Sequence, residues 1–173
     1  MYIVGVDPGK TTGICVLRRA NFNPDENKWD IKVVLAGDIA WDDRYDTIMP
    51  YLNAALTQLK KGVPTYIVYE QFRLRPSYTA VQEKEVPAVE ATGILLHQLH
   101  MLGFPEENII SQPAASRKSV RLLPGHGKLM TSPHSRDAYA HARYFIVTRS
   151  NKEVKAYKEQ NAKDATSLSS TSD

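Results

Sequence analysis

The chain begins with a β-branched run that ends in an acid, Asp7, and continues through a Pro-Gly turn into a second apolar run. Residues 2–6 and 14–17 therefore predict two strands of an antiparallel hairpin. Asp7 directly follows a buried strand, where a carboxylate is poorly solvated and needs a partner. A bound cation accounts most simply for an acid at this position. The fold is therefore expected to bring further polar groups to the end of the first strand.

Two other interpretations of this turn need no metal. Asp-Pro-Gly is ordinary turn chemistry, because Asp bonds to the backbone that follows it while Pro and Gly fix the dihedral angles. This alternative stays open. The segment Gly9-Lys10-Thr11 is similar to the end of a phosphate-binding loop, but such a loop has four residues between its first glycine and its Gly-Lys pair. Only three residues separate Gly5 from Gly9, and one of them is proline, so the sequence disfavours a phosphate-binding loop.

The composition is that of a single globular domain. The 173 residues are enough for a core that needs no disulfide or structural metal. The single cysteine, Cys15, excludes a disulfide framework and a CxxC metal site. No stretch approaches the length of a membrane span, and the N-terminus passes into a strand instead of a charged and then apolar leader. We therefore expect a cytoplasmic protein.

Positive charge is concentrated in the second half of the chain. Between residues 113 and 149 seven cations stand against one acid, Asp137, whereas between residues 21 and 50 the acids outnumber the cations. A local excess of positive charge suits a polyanion such as nucleic acid. Solvated helix faces are the alternative, because exposed helices also carry runs of charge.

The spacing of apolar residues predicts how the first half of the chain is arranged. An alternating pattern over 29–40 predicts a third strand, and residues 42–61 have the spacing of an amphipathic helix. Residues 65–70 form another apolar strand that ends in an acid. A strand reached through a helix lies most easily parallel to the first strand and beside it. Asp7 and Glu70 are therefore expected to meet at one edge of the sheet.

The second half is predicted to mix loops, helices and one strand. We expect a loop at 73–86, an apolar helix at 87–102, a fifth strand at 108–112, a short basic helix at 114–122 and a flexible loop at 124–128. The last helix begins at Ser132-Pro133, a good N-cap with proline at the first helical position, and is expected to end near Val147. Residues 150–173 are polar and are expected to be a disordered tail of a domain that spans residues 1–149.

Two polar residues share the first turn of this last helix. His134 and Asp137 are three positions apart and so lie on one face. Each has an ordinary structural explanation, because the helix dipole favours an acid near the N-terminus and a lone histidine is usually a surface or satisfied residue. Together with two acids at strand ends they suit a two-metal phosphodiesterase, which holds its ligands on rigid elements around ions roughly 3.5–4 Å apart.

Three short motifs resemble those of one nuclease family. The segments Gly5-Val6-Asp7-Pro8-Gly9 with Thr12-Gly13, Tyr69-Glu70-Gln71-Phe72, and His134-x-x-Asp137-Ala138-x-Ala140 are similar, in this order, to the motifs of the RuvC family of Holliday-junction resolvases, in the ribonuclease H-like superfamily. The resemblance covers about residues 1–148. It implies an α/β fold with a five-stranded mixed sheet, in which an antiparallel meander of strands 1–3 is followed by parallel strands 4 and 5, flanked by helices.

The resemblance also implies a chemistry. Asp7, Glu70, His134 and Asp137 would be the catalytic and metal-binding residues of a homodimer that uses two Mg²⁺ or Mn²⁺ ions, and the third position of this set is Asp or His in that family. The expected reaction is hydrolysis of phosphodiesters in four-way DNA junctions, in the cytoplasm of a bacterium or of a phage-infected host cell. A compact, phage-type member would act more broadly on branched DNA.

The expected DNA contacts are basic, polar and aromatic residues near this site. Phe72 lies two positions after Glu70, whereas the aromatic residue of the bacterial resolvases usually lies three positions after this acid, so Tyr78 is an alternative for stacking on unpaired bases. The cations would bind phosphates without reading the base sequence. The full set is Lys10, Gln71, Phe72, Arg73, Arg75, Tyr78, Arg117, Lys118 and Lys128.

Two rival functions are compatible with the same residues. A debranching or flap nuclease would use the same four site residues on a wider range of branched DNA. A catalytically silent DNA-binding module would need only the basic surface, and the complete set of four site residues argues against it.

Overall fold

The fold is built on one five-stranded mixed sheet. The computed structural model describes residues 1–23, 28–40, 44–72, 86–130 and 132–169. β1 pairs antiparallel with β2 and β2 antiparallel with β3, whereas β4 is parallel to β1 and β5 is parallel to β4. The spatial order is β3-β2-β1-β4-β5, which confirms the predicted sheet. The strands are β1 (Tyr2–Asp7), β2 (Thr12–Asn23), β3 (Lys28–Ile39), β4 (Thr65–Gln71) and β5 (Ile109–Pro113).

Helices cover both faces of this sheet. Among the described residues, no helix combines the length and the hydropathy that crossing a membrane requires. The α-helices are α1 (Arg44–Lys60), α2 (Val86–Met101) and α3 (Pro133–Ser169), and short 3-10 helices span Glu106–Asn108, Ala114–Ser119 and His126–Leu129.

Two hydrophobic clusters hold these layers together, because side chains of one strand point alternately to opposite faces. On one face Val4 and Val6 of β1 pack in a cluster with residues of α1 and α2, such as Leu52 and Leu95. On the other face Ile3, Cys15, Leu17 and Val68 pack against α3 through Ala138, Tyr139, Ala142 and Ile146. The first strand is therefore buried on both sides, which explains its uninterrupted apolar sequence.

The helix α3 lies against the backbone of the sheet at two glycines. A Cβ atom on Gly5 would lie 2.1 Å from the carbonyl oxygen of Ala138, and a Cβ atom on Gly13 would lie 2.1 Å from the carbonyl oxygen of His134. Both distances are far below van der Waals contact, so only glycine permits this approach. The glycines of the first sequence motif thus determine how closely α3 packs on β1 and β2.

Hydrogen bonds at Ser132 fix the point where α3 begins. The Ser132 hydroxyl accepts from the backbone N–H of Ser135 (3.0 Å), and the Ser135 hydroxyl donates to the Ser132 carbonyl (3.2 Å). The Ser132 hydroxyl also donates to Asp38 on β3 (2.6 Å). This is the predicted N-cap, and it ties the first turn of α3, which carries His134, to the end of a strand.

The predictions for the chain between β5 and α3 need correction. The basic helix predicted at 114–122 is a 3-10 helix that ends at Ser119, and its N-cap residue, Pro113, makes no side-chain cap hydrogen bond. The loop predicted to be flexible at 124–128 contains another 3-10 helix. The hydroxyl of Tyr139 restrains it, because this oxygen accepts from the Leu123 backbone N–H (3.3 Å) and lies 3.1 Å from Nδ1 of His126.

The predicted ends of other elements also differ. The strands predicted at 14–17 and 29–40 are longer at their facing ends, because β2 continues to Asn23 and β3 begins at Lys28. The last helix does not end near Val147 but runs to Ser169. Its second half lacks Pro and Gly and is rich in Lys, Glu, Gln and Ala, which favour helix. The division into a domain at 1–149 and a disordered tail stays a prediction, and the predicted loop at 73–86 lies almost wholly outside the described residues.

The close approach of α3 gives a first testable prediction. Gly5→Ala should lower the free energy of unfolding by about 1–3 kcal/mol or more, because the new methyl group has to push α3 away from β1. Gly93→Ala is the matched control, since a Cβ there meets nothing within 4 Å, and Ala in mid-helix should stabilise by about 0.5–1 kcal/mol. Urea unfolding of both variants checks this, and equal stabilities would contradict the packing described.

Candidate active site

Four polar residues meet where β1 and β4 end. Asp7 is the last residue of β1, and Glu70 lies beside it on β4, where the parallel register pairs Val6 with Tyr69. His134 and Asp137 reach the same place from the first turn of α3, which the Gly13 contact holds against the sheet. The structure therefore brings together the four residues that the sequence motifs singled out.

Asp7 is the most buried acid of the site. Its side chain is only 12% exposed, and Oδ2 lies 3.1 Å from Nδ1 of His134, whose side chain is 45% exposed. The imidazole thus lies at the entrance of the site and the carboxyl group lies beneath it.

Glu70 and Asp137 share a cation supplied by the chain itself. Nη1 of Arg117 donates to Oδ2 of Asp137 (2.5 Å) and to Oε2 of Glu70 (3.4 Å). Arg117 belongs to the 3-10 helix that follows β5, so this segment folds back over the site. The guanidinium group thereby compensates two carboxylates that would otherwise repel each other.

A buried histidine also contacts Glu70. His141 is fully buried on α3, and its Nε2 lies 2.9 Å from Oε2 of Glu70. Its other ring nitrogen, Nδ1, lies 3.1 Å from Oε1 of Gln112 on β5. Glu70 is therefore connected through His141 to the neighbouring strand.

The two strand-end acids differ in their affinity for protons. Burial raises the pKa of Asp7 to about 6, because the hydrogen bond to His134 only partly offsets burial and the negative charges of Glu70 and Asp137 raise it further. Burial also acts to raise the pKa of Glu70, but the hydrogen bond from His141 and the charge of Arg117 outweigh it and the net shift is downward. Glu70 is thus the better stabilised anion of the pair.

Comparison with solved structures identifies the architecture. Thermus thermophilus RuvC matches with a TM-score of 0.52 and 13% identity, over 86% of this chain and 96% of that chain. T. thermophilus RuvC in complex with Holliday junction substrate matches with a TM-score of 0.51 and 14% identity over the same shares. The chain has the RuvC fold. No protein-family model matches the sequence, and no curated protein matches it.

The donor atoms at this end of the RuvC fold suit a hard divalent cation. Three carboxyl groups supply the oxygen ligands that Mg²⁺ and Mn²⁺ prefer, and an imidazole adds a nitrogen that suits Mn²⁺. Within the described residues no three His, Cys, Asp or Glu side chains are already grouped as a metal site. Arg117 forms ion pairs with Glu70 and Asp137. A cation would take over the compensating charge that Arg117 provides.

The predicted DNA contacts fall into three groups on this fold. Lys10, Lys118 and Lys128 are exposed, whereas Gln71 and Phe72 are half-buried directly after Glu70. Arg117 contacts carboxylates of the site, and its role on phosphates stays a prediction. The remaining three, Arg73, Arg75 and Tyr78, lie outside the described residues.

Sequence reasoning missed His141 and Gln112. His141 lies four residues after Asp137 and seven after His134, a spacing that places all three on one face of α3. This spacing is visible in the sequence and would have indicated His141. Nothing in the sequence indicates Gln112, because its contact depends on the parallel register that pairs Glu70 with Gln112.

The raised pKa of Asp7 predicts how stability depends on pH in EDTA. The folded protein holds this proton up to about pH 6, whereas the unfolded chain loses it near pH 4. The stabilisation that this proton gives the folded state is therefore complete below about pH 4 and is lost as the pH rises through about 6. Asn cannot ionise. The free energy of unfolding of Asp7→Asn, taken relative to that of the wild type, should therefore increase by about 2–3 kcal/mol from pH 4 to pH 8. Urea unfolding at both pH values measures this gain, and a difference independent of pH would contradict it.

Proposed function

We propose that this protein is a metal-dependent endonuclease that hydrolyses phosphodiesters in branched DNA, with four-way junctions as its substrate. The observation that supports this most strongly is the convergence of Asp7, Glu70, His134 and Asp137 at one edge of the sheet. The RuvC fold alone would not suffice, because one fold hosts many functions and function has to be argued from the site. A broader flap or debranching nuclease would use the same residues and differs only in substrate preference.

In this proposal the four residues hold two Mg²⁺ or Mn²⁺ ions. Bound there, the ions would activate a water molecule for in-line attack and stabilise the leaving 3′ oxygen. Asp7 would be the central ligand because its side chain is the most buried of the three acids. Asp7 is available as an anion once the pH rises above about 6. Glu70 is available at lower pH, because its neighbours favour the anion.

The proposed DNA surface surrounds this site. Exposed lysines at positions 10, 118 and 128 and the cation-rich segment from 113 to 149 would bind phosphates. Phe72 is half-buried and belongs to neither hydrophobic cluster of the described residues, which favours a contact outside the core such as base stacking. The proposal extends this surface to Gln71, Arg73, Arg75, Tyr78 and Arg117.

Cleavage of defined DNA tests the proposal. Wild type is incubated with a labelled four-way junction, a flap and a linear duplex, each with Mg²⁺, Mn²⁺ or EDTA, and should cut the junction only with metal. Asp7→Asn should lose activity by more than the roughly 10–100-fold that removal of an outer-shell partner costs, yet should still bind the junction in EDTA. Asp30→Asn is the control, because Asp30 is an exposed strand acid that pairs with Lys32.

Other outcomes distinguish the rival functions. Equal cutting of flaps and junctions would favour the debranching nuclease. Junction binding without cleavage under any metal would favour the silent DNA-binding module. Near-normal turnover by Asp7→Asn would exclude the proposed site.

We further propose that the protein acts as a homodimer through α2. The outer face of this helix exposes Val89, Leu96 and Met101, with Met101 71% exposed, and apolar side chains of this size are typical of an interface. Leu96→Lys should convert a sedimenting dimer into a monomer and abolish paired cuts in a symmetric junction. Val34→Lys, at an exposed position of β3, should change neither. A wild type that sediments as a monomer with and without junction would refute the dimer.

A further inference from the structure

The hydrogen bonds of Glu70 point to a residue that acts on the site without belonging to it. His141 has no exposed surface and lies one helical turn after Asp137 on α3. A buried imidazole loses the hydrogen bonds that water gave it and must replace them inside the protein. Both of its ring nitrogens do so, Nε2 with Glu70 (2.9 Å) and Nδ1 with Gln112 (3.1 Å).

The three residues form a chain that crosses three elements of the fold. Glu70 on β4 and Gln112 on β5 are direct partners in the parallel register. Gln112 is itself buried, with 5% of its surface exposed. His141 contacts both of them from α3. The orientation of the Glu70 carboxylate is thus set by a fixed imidazole and not by solvent.

The direction of the hydrogen bond to Glu70 follows from its chemistry. An ionised carboxylate only accepts, so Nε2–H of His141 donates to Oε2 of Glu70. Nδ1 of the neutral imidazole then accepts, so the Gln112 amide donates to it through its NH₂ group, in the side-chain orientation that exchanges Oε1 and Nε2. Both hydrogen bonds that the structure describes for Glu70 end on Oε2. A cation approaching Glu70 therefore meets a carboxylate whose rotation is restricted and whose Oε1 carries neither of these bonds.

Of these two donors, His141 is the one that determines the orientation. The Arg117 contact is longer, at 3.4 Å, and the Arg117 side chain is 35% exposed, so solvent and side-chain entropy weaken it. The His141 contact is shorter and excluded from water, where a hydrogen bond to a charged group is stronger. A cation would therefore displace Arg117 more readily than His141.

We propose that His141, supported by Gln112, is a positioning residue for the metal ligand Glu70. This inference rests on the proposed metal-dependent nuclease and adds a residue that touches neither metal nor DNA. Hydrogen-bond partners behind the ligands of a metal orient those ligands and contribute to affinity. In this arrangement the strand β5, which carries none of the four proposed ligands, helps to build the site.

The test measures metal binding separately from catalysis. In DNA-free protein, calorimetric titration with Mn²⁺ should show a dissociation constant about 10–100-fold higher for His141→Leu than for wild type. Cleavage should need a correspondingly higher Mn²⁺ concentration for half-maximal rate, while the rate at saturating Mn²⁺ returns close to that of wild type. His141→Gln retains an N–H donor of similar reach and should recover most of the affinity. Junction binding in EDTA should be unchanged in both variants.

The control separates positioning from a general loss of stability. Ile146→Ala removes another fully buried side chain of α3 from the hydrophobic cluster behind the site. It should lower the melting temperature and leave the Mn²⁺ affinity unchanged. If His141→Leu does not fold, Gln112→Leu takes its place, because it removes the support of the imidazole and should also weaken Mn²⁺ binding.

The outcomes are distinguishable from those of the proposed function. A wild type that binds Mn²⁺ and cuts junctions, together with a folded His141→Leu variant of normal Mn²⁺ affinity, would make His141 a core residue only and overturn the inference alone. A Gln112→Leu variant of normal affinity would do the same where His141→Leu fails to fold. A wild type that neither binds Mn²⁺ nor cuts branched DNA would overturn both proposals.

Discussion

The contact between the backbone of α3 and the backbone of the sheet supports everything else in this structure. At Gly5 and Gly13 the carbonyl groups of Ala138 and His134 occupy the space where a side chain would begin. A helix this close to a sheet delivers its polar residues to the strand ends at hydrogen-bonding distance. Asp7 contacts His134 for this reason, and the same approach allows His141 to contact Glu70 on β4 and Gln112 on β5.

Three neighbouring carboxylates repel one another, and the protein compensates their charges to different degrees. Burial disfavours the charged form of Asp7, which therefore keeps a high affinity for its proton. Glu70 is stabilised as an anion by His141 and Arg117, and Asp137 shares the same guanidinium group. The Glu70 side of the site is therefore anionic at low pH, whereas Asp7 becomes negative only as the pH rises through about 6.

Much of this arrangement could be predicted from local patterns. Two apolar strands that each end in an acid predict the parallel pairing of β1 and β4, because a helix precedes the second strand. The three-residue spacing of His134 and Asp137 predicts that they share one face of α3. Partners distant in sequence could not be predicted. The sequence shows the charge of Arg117, which predicts a phosphate contact. It does not show that Arg117 pairs with Asp137. The end of α3 was missed because no proline or glycine marks where the apolar pattern fades.

The close approach at Gly5 and Gly13 also makes the position of the site depend less on the core side chains than the stability does. The height of α3 above β1 and β2 is set by main-chain atoms, which are the same in every residue. Substitutions among the surrounding apolar side chains can therefore change how firmly the helix is held without changing the position at which His134 and Asp137 meet the strand ends. Volume-conserving exchanges in the core should therefore leave the acids in place, because the backbone contacts at Gly5 and Gly13 determine their geometry.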